Sequence, residues 1–153
     1  MFANILIATD GSKRSDAAVK QGIRFAKSLG AHVTALHVIP PFHQFTFRSQ
    51  MLLSYHTALA EDSEAAYAKA TKAQAEKILH AVARVAAASR VRCTTVHVSD
   101  DQPYKAILAT AKKKRCDLIL MASHGFGGLG GVLLGSETQK VLTHSSIPVL
   151  VYR

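Results

Sequence analysis

A chain of 153 residues, 48% hydrophobic and 19% charged, has globular composition and the length of one ordinary domain, too short for two comfortable cores. No apolar run reaches the roughly eighteen residues that a membrane-spanning helix needs, so a membrane partner is not expected. The formal charge of +9 admits nucleic acid, acidic proteins, anionic membrane or a polyphosphate ligand, and by itself chooses none of them.

The opening MFANILIATDGS has no basic leader and no small-residue cleavage site. It reads as a first strand over 3–9 in place of a signal peptide, which implies a cytoplasmic protein. After the turn residues of TDGS, Val19, Ile23, Ala26 and Leu29 share one face of a helix over 13–29, closed by Gly30. A second strand, HVTALHVI, follows at 32–39. The connection from Pro40 to about Thr57 is long and carries Phe42, Phe45 and Phe47. Such a segment is expected to be a lid beside a ligand, a patch covered by a partner, or simple packing on its own domain.

An alanine-rich stretch over 58–88, with Ile78, Leu79, Val82 and Val85 on one stripe, gives the second helix. A third strand, VRCTTVHV, spans 91–98. Asp100 and Asp101 are candidate caps ahead of Pro103, which opens a third helix ending in Lys112, Lys113, Lys114 and Arg115, cations that suit a helix C-terminus. CDLILMA at 116–122 and IPVLVY at 147–152 complete five strands. Cys93 and Cys116 fall at or in strands and are expected to be reduced, structural residues. Strict alternation of strands and helices implies a doubly wound α/β domain over 1–153: five parallel strands with helices on both faces.

In such sheets ligands bind beyond the carboxyl ends of the strands, where the strand order reverses. Two loops qualify: Thr9-Asp10-Gly11-Ser12 after the first strand, and ASHGFGGLGGVLLGS (122–136) after the fourth. The second contains Gly125, Gly127 and Gly130 in the dinucleotide pattern G-x-G-x-x-G. That pattern also needs a helix directly after the glycines and an acid at the end of the next strand. The next strand ends in Tyr152-Arg153, so a nicotinamide or flavin site is not expected.

Divided differently, the stretch is a turn at Ser123-His124-Gly125, nine residues, then Gly135-Ser136 opening a helix through Glu137, Thr138, Val141 and Leu142. With Ser136 as N-cap, the N–H groups of residues 136–138 form an anion site to which the hydroxyls of Ser136 and Thr138 could add. A capped helix behind a loop explains the same residues without any ligand. His124 is a loop residue with no acid at a telling spacing, and it reads as a ligand contact before it reads as a general base. His37, His43 and His56 match no compact metal motif.

These spacings bring a family into view. The chain resembles universal stress proteins, whose pattern of glycine, two residues, glycine, nine residues, glycine and serine or threonine appears here as Ala122-Ser-His-Gly125, nine residues, Gly135-Ser136. ILIATDGS, ALHVI and HSSIPVLVYR resemble the family at their expected places. The resemblance implies a Rossmann-like, adenine-nucleotide alpha-hydrolase-like fold, a homodimer joined through the C-terminal edge strand, and ATP as ligand, with magnesium or manganese as a candidate companion. It would set Thr9 and Asp10 by the adenosine, Val38 against adenine through its backbone, and Met121 and Ala122 along the same pocket. Gly125, Gly135, Ser136, Glu137 and Thr138 would surround the phosphates.

Two residues depart from the pattern. Ala122 replaces its first glycine; a positive φ there would cost about 1–2 kcal/mol, a negative φ little. Glu137 sets a carboxylate beside the phosphates, where it must point away or share a divalent cation. The expected function is an ATP-binding regulatory protein with at most slow hydrolysis, since no convincing general base is visible. The alternative is a nucleotide-free dimeric interaction protein of the same fold. A nucleic-acid partner is not expected, because the basic charge comes with no aromatic-basic motif.

Overall fold

A computed structural model describes residues 1–42, 64–124 and 134–153. Its described strands are β1 (Asn4–Ala8), β2 (His32–Ile39), β3 (Cys93–Ser99), β4 (Leu118–Ala122) and β5 (Val149–Tyr152). The helices are α1 (Lys13–Leu29), α2 (Glu64–Ala88), α3 (Pro103–Lys113) and α4 (Ser136–His144). All five strands are parallel, in the order β3-β2-β1-β4-β5. The chain winds outward from β1 to β3, then returns to β4 on the other side of β1. The order therefore reverses between β1 and β4, as the doubly wound expectation requires.

Alternation along the strands assigns the two cores. Ile5, Ile7, Val33, Ala35, Leu118, Leu120 and Ala122 face α1 and α2, meeting Val19, Ile23 and Ala26 of the first and Leu79, Val82 and Ala86 of the second. Leu6, Leu36, Ile119 and Met121 face the other way, onto Ile107, Ala111 and Val141 of α3 and α4. The central strands are buried on both faces, so they read as continuous apolar runs. At the edge, β3 is largely exposed and correspondingly polar.

Three helices end in one motif. Gly30, Arg90 and Arg115 take left-handed φ values of 65°, 56° and 54°. In each case the next N–H returns to a carbonyl five residues back: Ala31 to Ala26, Val91 to Ala86 and Cys116 to Ala111. This closes carbonyls that the helix end leaves open. Only the first of the three uses the residue type that adopts this conformation without cost.

β1 is shorter than expected by one residue at each end, β3, β4 and β5 start two residues later and β3 ends one residue later, while α1 and β2 begin and end where the periodicity placed them. The expected start of the second helix, 58–63, lies outside the described residues, as do Phe45 and Phe47. Phe42 packs its ring on Tyr67 of α2, with centroids 5.4 Å apart. The expected caps of α3 are corrected: Asp100 Oδ1 accepts from Gln102 N at 2.8 Å, in the turn before the helix, and Gln102 is the N-cap without a side-chain bond. Pro103 has no N–H to offer, so Tyr104 N–H is the first donor of α3 that needs an acceptor.

Cys93 and Cys116 are both free thiols. Three strand spacings separate β3 from β4, roughly 14 Å, beyond the reach of a disulfide. Burial pushes both thiols above their usual pKa range. Each therefore behaves as a small apolar residue.

Charge is segregated along the strand direction. At the amino ends of the strands, where the helices finish, stand Lys27, Arg90, Arg92, Lys112, Lys113, Lys114 and Arg115, all exposed. Asp117 stands at the same end, its two carboxylate oxygens accepting from Ala3 N at 2.7 Å and Asn4 N at 3.0 Å. At the opposite end, among the described residues, Lys13, Arg14, Lys69, Lys105, Lys140 and Arg153 are balanced by Asp10, Asp16, Glu64, Asp100, Asp101 and Glu137.

Candidate functional site

The first loop at the reversal is a locked turn. Thr9 N–H continues the sheet by donating to Leu36 O at 2.9 Å, and the buried Thr9 Oγ1 accepts from Ser15 Oγ at 2.6 Å and Gly11 N at 3.2 Å. Asp10 Oδ1 accepts from Ser12 N at 3.0 Å, the turn that a short acidic side chain makes with its own backbone. Gly11 has φ 79°, a left-handed conformation that favours glycine, and a Cβ there would stand 2.8 Å from the Ile78 side chain, which would have to shift. Ser12 then caps α1, its Oγ accepting from Ser15 N at 3.2 Å. His37 Nδ1 donates to Thr9 O at 2.9 Å, which ties β2 to the same loop.

The second loop leaves β4 beside it, because Ala8 pairs with Met121 in the β1/β4 register. Ala122 is the last residue of an extended strand, paired with Tyr152, and the only described non-glycine residues with positive φ are Arg90 and Arg115. The alanine is therefore unstrained, and its methyl is part of the core facing α1. Ser123 N donates to Tyr152 O at 2.7 Å, and Ser123 O accepts from Gly135 N at 2.8 Å. The chain thus returns to the end of β4 after a segment, 125–133, that lies outside the described residues and includes Gly125.

Gly135, not Ser136, is the N-cap of α4, at φ −66° and ψ 154°. The correction follows from main-chain bonding: Gly135 O accepts from Gln139 N at 3.0 Å, closing the first helical turn one residue earlier than expected. A Cβ at position 135 would stand 3.3 Å from Ser123 O and 3.5 Å from His124 Cα. Glycine here serves close approach of helix to strand end. Ser136 becomes the first helical residue, with its side chain at the exposed rim.

The N–H groups of Ser136, Glu137 and Thr138 have no carbonyl one turn back, so the start of α4 carries donors and partial positive charge. The side chains beside them divide. Thr138 Oγ1 is buried and lies 3.1 Å from Ala122 O and 3.3 Å from Ser123 O, to which its hydroxyl donates. That proton is spent on the strand end, which leaves the main chain of Thr138 as its contribution to an anion site. Glu137 points away: Oε2 accepts from Tyr104 N at 2.9 Å and Oε1 from Lys140 Nζ at 2.8 Å. It supplies the missing cap of α3 and holds the Lys140 ammonium, raising its pKa. No sequence signal announces this bond, because its partners lie 33 residues apart.

Thr9, Asp10, Val38, Met121, Ala122, Gly135, Ser136, Glu137 and Thr138 all lie at the carboxyl end of the sheet, on β1, β2, β4 and α4 or the loops that join them. Val38 is half-buried near the end of β2, and Met121 is buried on the α3/α4 side. Sequence reasoning passed over Ser15 and weighed His37 only as a metal ligand, whereas both make bonds that fix the first loop. Their signal was the Ser12-x-x-Ser15 spacing of a helix start; His37 gave none. Among the described residues no cluster of three metal-ligating side chains occurs, and His43 and His56 lie outside them.

A model of the universal stress protein family matches residues 1–153. The chain is 31% identical to the universal stress protein YxiE of Bacillus subtilis over 153 residues, covering 100% of both. The solved structure of hypothetical protein MJ0577, described as a test case for assigning biochemical function from structure, superposes with a TM-score of 0.80 at 25% identity, over 99% of this chain and 95% of that one. A universal stress protein in complex with cAMP shares the fold at TM-score 0.70 and 23% identity, over 99% and 97% of the two chains.

Proposed function

The chain belongs to the universal stress protein family, and on that premise we propose that it binds an adenine nucleotide, ATP foremost, and acts as a cytoplasmic regulatory protein in the stress response. The observation that carries this reading is the meeting of two loops at the β1/β4 reversal: a rigid turn carrying Asp10, and the open N-terminus of α4 held against the end of β4. A polar turn suits the ribose and unpaired N–H groups suit phosphate oxygens. Thr9, Asp10, Val38, Met121 and Ala122 are assigned to the nucleoside, and Gly125, Gly135, Ser136, Glu137 and Thr138 to the phosphates, the last two through their main chain. The cAMP-bound neighbour has this fold; the assignment of these residues rests on the family resemblance of the motifs that carry them.

Both departures from the motif are compatible with the reading. Ala122 is unstrained, and the Glu137 carboxylate is engaged by Tyr104 and Lys140. Magnesium or manganese, where it accompanies ATP, would be held chiefly by the phosphates. The protein needs no strong catalyst, because occupancy alone stabilises one loop arrangement by binding it preferentially. A homodimer through β5 is part of the proposal: β5 lies at the sheet edge and Leu150 on it is 37% exposed.

The test is retention and stabilisation. Mass spectrometry of the supernatant of denatured protein should find an adenine nucleotide, and ATP at about 100 times its Kd should raise Tm by roughly 5–10 °C. Titration with AMP, ADP and ATP, with and without magnesium or manganese, ranks the ligands. No retained nucleotide and no shift at millimolar concentrations would leave the nucleotide-free dimeric interaction protein. A gel-filtration mass of one chain at micromolar concentration would remove the dimer.

A further inference from the structure

His124 follows β4 directly and carries an imbalance. Its Nδ1 lies 3.2 Å from Ser123 Oγ, while its Nε2 is shut off from solvent and has no hydrogen-bond partner. It is the only buried side-chain nitrogen or oxygen among the described residues in that condition. The ring lies against the start of α4: a Cβ on Gly135 would stand 3.7 Å from His124 Cδ2, the atom bonded to Nε2. Burying a polar nitrogen without a partner destabilises a fold, so an orphan of this kind calls for an occupant. When the Ser123 hydroxyl donates to Nδ1, the ring hydrogen sits on Nε2 and makes that atom a donor.

We propose that His124 is a specificity residue of the nucleotide site, its Nε2–H donating to a phosphate oxygen seated at the N-terminus of α4. The inference rests on the nucleotide-binding reading and adds to it a means of telling phosphorylated adenine ligands from adenosine. A side-chain donor beside main-chain N–H groups strengthens the hold on an anion, and a hydrogen bond to a charged group is the stronger kind. Ligand-free protein keeps the unsatisfied nitrogen at a cost in stability, which the phosphate removes on binding.

Two variants of the full chain test this. His124→Leu removes the nitrogen, and His124→Gln replaces it with an amide donor at similar reach. Without ligand, His124→Leu should melt higher than wild type, by roughly 2–6 °C. By calorimetric titration it should bind ATP and AMP about tenfold more weakly while adenosine changes by less than about twofold, and His124→Gln should retain most of the ATP affinity. Inorganic phosphate, titrated alone, separates a free-phosphate site from a nucleotide site: displacement of bound phosphate by AMP supports the nucleotide. ATP affinity unchanged in His124→Leu, an equal loss for adenosine, or a lower ligand-free Tm would overturn the inference and leave the nucleotide reading standing. Wild-type protein that binds no adenine ligand would overturn both.

Discussion

Thr138→Val separates a structural hydroxyl from a ligand-binding one. The two side chains are nearly isosteric, so the substitution leaves volume unchanged and deletes one buried donor. Thr138 is 3% exposed, and its hydroxyl bridges the start of α4 to two carbonyls at the end of β4. Ser123 O keeps its bond from Gly135 N, whereas Ala122 O loses its Thr138 contact to a methyl group. A neutral hydrogen bond contributes about 1 kcal/mol net, and a carbonyl left short in a buried site costs part of a further 1–3 kcal/mol. The expected loss is about 1–2 kcal/mol, or a fall in Tm of roughly 3–6 °C for a chain of this size. Urea and thermal unfolding of ligand-free protein measure it, and Thr138→Ser should recover most of the loss. A valine variant as stable as wild type would refute the reasoning and return the hydroxyl to the ligand.

Further outcomes follow from other positions. Ala122→Gly should lower stability by about 1 kcal/mol in thermal unfolding, because a strand residue gains backbone freedom and the core loses a methyl; a gain would mean that the alanine is strained. Arg90→Gly should raise Tm by a degree or two, relief of the left-handed φ outweighing the added freedom of the unfolded chain by roughly 0.5 kcal/mol. Burial, and to a smaller extent Arg92, lower the pKa of His32, so the folded state disfavours its protonation. Its share of stability is complete above about pH 6.5 and is lost as pH falls from there through the folded pKa, so His32→Gln should flatten the decline of Tm between roughly pH 7 and pH 5.

Legibility in the sequence followed the range of the interaction. The apolar periods of β2 and α1 located both elements, because each packs with one period along its whole length. The reversal between β1 and β4 followed from strict alternation, and it brought Asp10 and Ser136 to one end of the sheet before any contact was known. Local rules failed where a distant partner decided the outcome. Asp100 looked like a cap, yet Glu137 on another helix accepts the Tyr104 N–H. Ser136 looked like a cap, yet the carbonyl of Ser123 fixed Gly135 in that position. The hydroxyl of Thr138 looked free for phosphate until the end of β4 claimed it.

The separation of charge along the strands has a bearing on diffusion. A surplus of +9 would ordinarily draw anions to the whole surface, but among the described residues seven cations stand around the helix C-termini with little acid beside them, while Asp10 and Glu137 stand at the rim where the paired loops meet. The described residues are electrically lopsided: their field attracts a polyanion most strongly at the end remote from those loops. In the proposed site, a small anion entering between β1 and β4 would be held by short-range N–H groups once it arrived and would gain little from the long-range field on the way in. On the proposed reading, the strongest cationic field and the capture of a small anion fall at opposite ends of the sheet, so a large polyanion drawn to the first need not compete with the second.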